Sequence, residues 1–269
     1  MNVKAMYFSA TGTTEKIIKA LASEISMIIN GNKDVEYLDF TLPEVRKKPV
    51  HYSDKDIVIV AVPVYAGRVP NVLLNYLNVV KSNNSPAVAV VVYGNRNYDD
   101  ALIELKDVLG NNGFDVRAAC SFIGEHSFSR ILAKGRPDKE DLIFAADFAK
   151  RISNKLNCNE KNLFTVTGKK PYRPYYKPVG RDGNPVDIRK VKPKTSEECV
   201  DCKLCAEVCP MGSIDYNNVA VLNGICIKCG ACVKKCPKNA KYFDDENYLK
   251  HLYELEEEFK NRRKPELYV

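Results

Sequence analysis

Eight cysteines between Cys199 and Cys236 constrain this chain more tightly than any other feature. Cys199, Cys202, Cys205 and Cys209 form a C-x2-C-x2-C-x3-C run closed by Pro210; Cys226, Cys229, Cys232 and Cys236 repeat it 27 positions later, closed by Pro237. Two-residue gaps let a tight turn aim successive thiolates at the corners of one metal core, while the three-residue step carries the fourth thiolate away. Structural zinc is usually held by two separated pairs of ligands, not by two runs of four. A disulfide framework fits no better, because dense C-x-x-C spacing without secretory context points to metal or redox chemistry. The segment reads as an electron-carrying metal site, and it is too short to build a large apolar core, so bound metal must substitute for one.

The paired runs resemble the bacterial two-cluster ferredoxins. That resemblance implies that Cys199, Cys202, Cys205 and Cys236 hold one 4Fe-4S cluster and that Cys226, Cys229, Cys232 and Cys209 hold the second, each fourth cysteine crossing to the other half's cluster. Cys120 and Cys158 fall outside the spacing and read as a buried strand thiol and a free helix-end thiol.

At 269 residues the chain has room for an ordinary domain as well as this small one. Its formal net charge of +7 is concentrated in the stretch just before the cysteines. Thiolate-bound clusters would offset about four of those charges. With no sustained basic face interleaved with aromatics outside Lys169 to Lys194, nucleic acid is not the expected partner. The N-terminal run Met1 to Phe8 stops at Ser9 and does not read as a signal peptide. No apolar run reaches the roughly 18 residues of a membrane span, so the expected location is cytoplasmic, in an anaerobic or reducing cell.

The first 158 residues alternate short apolar runs with amphipathic ones, the pattern of a parallel sheet covered by helices on both faces. Strands are predicted at Val3 to Phe8, Val35 to Phe40, Ile57 to Val62, Ala87 to Val92 and Val116 to Ile123. Helices are predicted at Thr13 to Ile29, Asn71 to Val80, Asp99 to Leu109 and Asp138 to Leu156. Such doubly wound α/β sheets bind ligands beyond the carboxyl ends of their strands.

Three strand ends carry candidate binding loops. Ser9, Thr11, Gly12, Thr13 and Thr14 join the first strand to the first helix, offering hydroxyls and unpaired helix N–H groups to a phosphate, or simply capping the helix. No Gly-Lys-Ser/Thr follows, so this is not a Walker loop. Pro63, Val64, Tyr65, Ala66, Gly67 and Arg68 follow the third strand, and Tyr93, Gly94, Asn95, Arg96, Asn97, Tyr98 and Asp99 follow the fourth. Each has a tyrosine to stack on a flat ring and a glycine for close backbone approach.

The N-terminal part thereby resembles the flavodoxins, whose first loop grips the phosphate of FMN and whose next two clasp its isoalloxazine. The resemblance implies a five-stranded parallel sheet of order 2-1-3-4-5, with these loops as the FMN site. Thr13 stands where many flavodoxins have Asn, a change that keeps a hydroxyl and a backbone donor. With no Trp in the chain, Tyr65 and Tyr98 are the stacking candidates, and Arg68 and Arg96 are candidates to stabilise an anionic reduced ring. His126, in the loop Gly124 to Ser129 after the fifth strand, is a candidate proton donor or an ordinary hydrogen-bonding loop residue.

These observations divide the chain into a flavodoxin-like unit (1–158), a Pro/Tyr/Lys-rich connector (159–195), a small α+β dicluster ferredoxin unit (196–242) and a C-terminal helix (243–269) that packs Leu249, Leu252 and Leu255. Proline density bars regular structure in the connector, while Tyr172, Tyr175 and Tyr176 argue for docking onto a neighbour. As a whole the chain resembles the flavodoxin-ferredoxin fusion proteins of anaerobes. That implies electron transfer between two clusters and FMN and on to redox partner proteins, with an FMN-dependent reductase of a small organic substrate as the alternative. No G-x-G-x-x-G follows the first strand, so direct oxidation of NAD(P)H is not indicated.

Overall fold

In the computed structural model, residues 1–157, 164–180 and 182–269 are described. The N-terminal elements run β1 (Asn2–Tyr7), α1 (Thr13–Asn30), β2 (Glu36–Asp39), β3 (Asp56–Pro63), α2 (Asn71–Leu77), β4 (Pro86–Tyr93), α3 (Ala101–Asn111), β5 (Asp115–Ile123) and α4 (Lys139–Asn157). All five strands pair in parallel in the order β2-β1-β3-β4-β5, so the expected flavodoxin-like order is the observed one.

Period-two alternation splits the strand side chains between two cores. Met6, Phe8, Val58, Val60, Val62, Ala87, Ala89 and Val91 pack against Leu73 and Leu77 of α2 and Leu102 and Leu105 of α3. Their neighbours Ala5, Tyr7, Ile59, Ala61, Val88 and Val90 face Ile17, Leu21 and Ile25 of α1 and Phe148 and Ile152 of α4. Burial on both faces is why these strands read as continuous apolar runs. Cys120 lies in the second core as the expected buried strand thiol; Cys158 lies outside the described residues.

The connector docks rather than hangs free. The guanidinium of Arg68 pairs with both carboxylate oxygens of Glu104 at 2.6 and 2.8 Å and lies under the rings of Tyr172 and Tyr175, 4.7 and 5.0 Å from their centroids. Arg173 pairs with the buried Asp100 and its backbone N–H donates to the same carboxylate at 2.7 Å. These contacts strap the connector along α3.

The small unit contains β6 (Lys194–Thr195), α5 (Leu204–Glu207), α6 (Ala231–Lys234) and β7 (Lys241–Tyr242), with β6 and β7 antiparallel. Helix α7 (Glu246–Glu258) follows, capped by Asp245, whose carboxylate accepts the Tyr248 N–H at 2.9 Å. Its buried residues are Tyr248, His251 and Leu255, whereas Leu249 and Leu252 are half-buried. The tail then departs from a purely helical reading: β8 (Glu266–Tyr268) returns to the large sheet and pairs antiparallel with β5. No helix among the described residues is long and apolar enough to cross a membrane.

Candidate functional site

The cysteine segment is a structural as well as a sequence repeat. Asp201 and Lys228, Lys203 and Gly230, and Gly212 and Asn239 are pairs 27 positions apart, and all six residues have φ between 52 and 75°. Helices α5 and α6 occupy equivalent positions. The Thr195–Lys241 pairing is matched by the isolated Ile214–Leu222 bridge at the same offset. At each crossing cysteine a backbone N–H four residues on donates to sulfur: Ser213 to Cys209 Sγ at 3.4 Å and Ala240 to Cys236 Sγ at 3.3 Å. Such donors stabilise thiolate charge and tune a bound cluster.

The eight thiols line two cavities. Cys199, Cys202, Cys205 and Cys236 border one, together with Leu204, Val219 and Pro237. Cys209, Cys226, Cys229 and Cys232 border the other, together with Ile214, Leu222, Ile225 and Phe243. Burial pushes the Cys205, Cys226 and Cys232 thiols up and takes Cys229 up to about 12, so binding a metal core must release their protons. The buried Lys241 opposes the rise at both Cys205 and Cys232 and therefore lies within electrostatic reach of both sets. Its ammonium donates to Thr195 Oγ1 at 2.7 Å and to the Val219 carbonyl.

At the carboxyl edge of the large sheet, Gly12 (φ 90°) opens α1 with no side-chain cap. Ser9 Oγ accepts the Glu15 N–H at 3.0 Å and the Ser9 N–H donates to Thr41 Oγ1 at 2.7 Å, while Thr14 is buried. Thr11, Gly12 and Thr13 are thus the accessible part of the candidate phosphate loop. After β3, Pro63 and Val64 lead into a tight hairpin. Tyr65 and Arg68 exchange backbone hydrogen bonds there, with Ala66 at φ 52° and Gly67 at φ 78°. An added Cβ at Gly67 would come within 2.2 Å of the Asp99 carboxylate, so the two loops touch. Burial, and then Cys229, raises the Tyr65 phenol well above its ordinary range.

The loop after β4 departs from the expected binding pattern at three residues. Asn95 is buried, with its amide nitrogen donating to the Phe259 and Asn261 carbonyls at 2.5 and 2.9 Å. Tyr98 is buried with its ring edge-on to Tyr93 and its hydroxyl at 2.7 Å from both Glu266 and Tyr268 of β8. Arg96 pairs with Asp99 and lies 4.8 Å from the Tyr176 ring centroid. Sequence reading missed the partners on the connector and tail because they arrive from 80 to 170 positions away. With Tyr98 so committed, Tyr65 is the remaining stacking candidate.

Of its two expected roles, His126 shows that of a hydrogen-bonding loop residue. Its ring packs on Gly94, where an added Cβ would lie within 2.3 Å, and its Nδ1 accepts the Phe128 N–H at 3.2 Å. Burial, helped by the Lys234 ammonium, drives it down to about 3, so it is neutral near pH 7 and has no imidazolium proton to give.

The cysteine unit docks on this same edge. Lys234 Nζ pairs with Glu125 and donates to the Ser129 carbonyl at 2.5 Å. Arg130 reaches the Val233 carbonyl at 3.1 Å and Asn239 Oδ1 at 2.9 Å. Arg46 donates to the Pro210 carbonyl at 2.5 Å. None of these three was singled out by the sequence, which marks them only as ordinary loop or helix charges.

The 4Fe-4S dicluster domain family matches residues 198–241. Solved structures similar to the chain include a flavodoxin from the domain Archaea (16% identity, 59% of this chain and 100% of that one, TM-score 0.41). Others are oxidised Flavodoxin 2 from Bacillus cereus (13%, 58% and 99%, 0.42) and a Fusobacterium nucleatum flavodoxin bound to flavin mononucleotide (13%, 57% and 98%, 0.36). No curated protein matches the chain. Strand order and parallel register, not these distant likenesses, define the N-terminal fold. The chain joins a flavodoxin-like α/β unit to a 4Fe-4S dicluster domain.

Proposed function

We propose that this is an electron-transfer iron-sulfur flavoprotein that holds two 4Fe-4S clusters and one FMN and exchanges electrons with redox partner proteins. The observation that carries the reading is the sorting of eight thiols into two fours around separate cavities, each four drawing its last member from the other run. Cys199, Cys202, Cys205 and Cys236 hold one cluster and Cys226, Cys229, Cys232 and Cys209 the other. Thr11, Gly12 and Thr13 hold the FMN phosphate at the end of β1, where a sheet of this order reverses direction and binds its ligand. Tyr65 and the backbone of Ala66, Gly67 and Gly94 border the ring. FMN exchanges electrons singly or in pairs, and the clusters singly, so the chain's own part is to hold these groups near one another.

A reductase acting on a small organic substrate is the rival reading. Asn95, Arg96 and Tyr98 are taken up by the connector and tail, and His126 is neutral; these commitments favour the carrier. Anaerobic reconstitution tests the assignment: eight irons and one FMN per chain are expected. Thr11→Val with Thr13→Val is expected to weaken FMN at least tenfold while riboflavin, which lacks the phosphate, changes little. Equal loss of both ligands, or four irons, would refute the map.

A further inference from the structure

The two halves of the repeat are equivalent in backbone but not in surroundings. Cys202 is exposed, whereas Cys229, 27 positions on, is buried. The next residue differs correspondingly. Lys203 and Gly230 share a left-handed backbone, φ 63 and 75°, so the geometry itself does not demand glycine. At Gly230 it is the neighbour that does: an added Cβ would come within 2.5 Å of the Ser127 carbonyl oxygen. That atom is backbone in the loop after β5 and cannot swing aside. Lys203, by contrast, sends its ammonium to Asp201 and to the Asn217 carbonyl within its own unit.

Further contacts around the second set lead to the same edge. Ser127 adjoins His126, whose ring packs on Gly94 of the loop after β4. Tyr65, of the loop after β3, is within electrostatic reach of Cys229. A ladder of rings runs from Phe243, which lines the second cavity, through Tyr248 at 4.5 Å and Phe128 at 4.8 Å to His126 at 5.2 Å.

Building on the flavin reading above, we propose that the Cys209, Cys226, Cys229 and Cys232 set is the flavin-proximal one. Gly230 is then the positioning residue that permits its approach, and the Cys199 set faces outward. The chain needs a missing side chain at one of two equivalent positions because only that one is pressed against the loop after β5, whose His126 packs on Gly94 of a flavin loop.

Full-length protein reconstituted with iron and sulfide, with and without FMN, provides the test. FMN retention is read by fluorescence, and the midpoint potential of each cluster by spin-resonance titration. Cys202→Ser and Cys229→Ser identify which signal belongs to which set. Because nearby charge tunes a cluster's potential, FMN should shift the Cys229 cluster and leave the Cys202 cluster in place. Gly230→Lys, which copies its counterpart, should keep eight irons yet lose the shift; Lys203→Gly should retain it. Gly230→Ala, whose single methyl already meets Ser127, serves if the lysine variant fails to hold iron. No shift, equal shifts, a shift confined to the Cys202 cluster, or one undiminished in the Gly230 variant would overturn the inference alone. A chain that binds no FMN would overturn the flavin reading and the inference with it.

Discussion

The cysteine unit contains two copies of one design in different settings. Around Cys199 to Cys209 the loop carries exposed Val200, Asp201 and Cys202, and its helix α5 ends at the exposed Glu207. Around Cys226 to Cys236 the same backbone carries buried Lys228, Cys229, Gly230 and Ala231, and the residue equivalent to Glu207 is Lys234, which is pinned to Glu125 and Ser129. Internal symmetry dictates the shared turns and the cysteine spacing. Gly230 and Lys234, which differ from Lys203 and Glu207, meet the flavodoxin-like unit, so each of these two differences marks a point of contact and is a lever for testing it.

The largest effect should come from the cysteines at equivalent positions. Cys202→Ala and Cys229→Ala are each expected to cost one cluster, lowering iron from eight to four per chain, because ligand loss removes the folding free energy that metal supplies. Only Cys229→Ala should also loosen the union of the two units, since its side chain lies against the flavodoxin-like edge. Hydrogen exchange across residues 124–130 would separate the outcomes: protection falls in Cys229→Ala and holds in Cys202→Ala. Equal loss in both would erase the distinction between the halves.

Lys241 should affect both halves together. Its counterpart in the first half is Ile214, so an apolar side chain suits the fold at this place, yet the lysine is 2% exposed. Lys241→Met removes a buried positive charge near Cys205 and Cys232 and leaves the Val219 carbonyl without its donor, at a cost of about 1–3 kcal/mol. Both clusters should shift to lower potential, as reduction adds negative charge that the ammonium stabilises. A shift in only one would place Lys241 within a single half.

Much of this architecture was legible from spacing and periodicity, for identifiable reasons. Strand β3 was predicted at 57–62 and found at Asp56–Pro63, and α1 was predicted at 13–29 and found at Thr13–Asn30, since a fully buried strand and a one-faced helix write their environments into local sequence. The eight cysteines were legible because metal geometry restricts their spacing. Strand β8 was not: three residues, Glu266, Leu267 and Tyr268, carry too little periodicity, and their pairing with β5 depends on where α7 delivers the chain. The tail partners of Asn95 and Tyr98 were hidden for the same reason. A polar loop side chain awaiting a ligand and one holding the tail look alike until the tail is in place. Gly230 was within reach of sequence reasoning, through the contrast with Lys203 once the repeat is aligned position by position.

A smaller effect is expected where charge alone distinguishes the halves. Lys234→Ala removes the partner of Glu125 and the donor to the Ser129 carbonyl in a half-buried setting, and should destabilise the chain by about 1–3 kcal/mol. Glu207→Ala, at the equivalent but exposed position, should stay within about 0.5 kcal/mol of wild type. Denaturant unfolding of the cluster-loaded protein measures both. Similar values would mean that Lys234 is as dispensable as its counterpart.

Acid should produce the smallest difference, with a definite sign. Burial alone would raise the Glu125 carboxyl, but the Gly135 N–H at 2.9 Å and the Lys234 ammonium outweigh it and hold the group below its ordinary range. A carboxyl depressed in the folded state stabilises the protein above its unfolded value, about 4.3. That contribution disappears as pH falls through the lower folded-state value. Glu125→Gln imitates the protonated form without acid, so at neutral pH it should be less stable than wild type by no more than about 1 kcal/mol. The gap should close as pH drops below about 4.3. A gap at Glu125 that persists in acid would assign its cost to lost packing instead of lost charge, and the Lys234–Glu125 pair would then add no charge contribution to the docking of the second half.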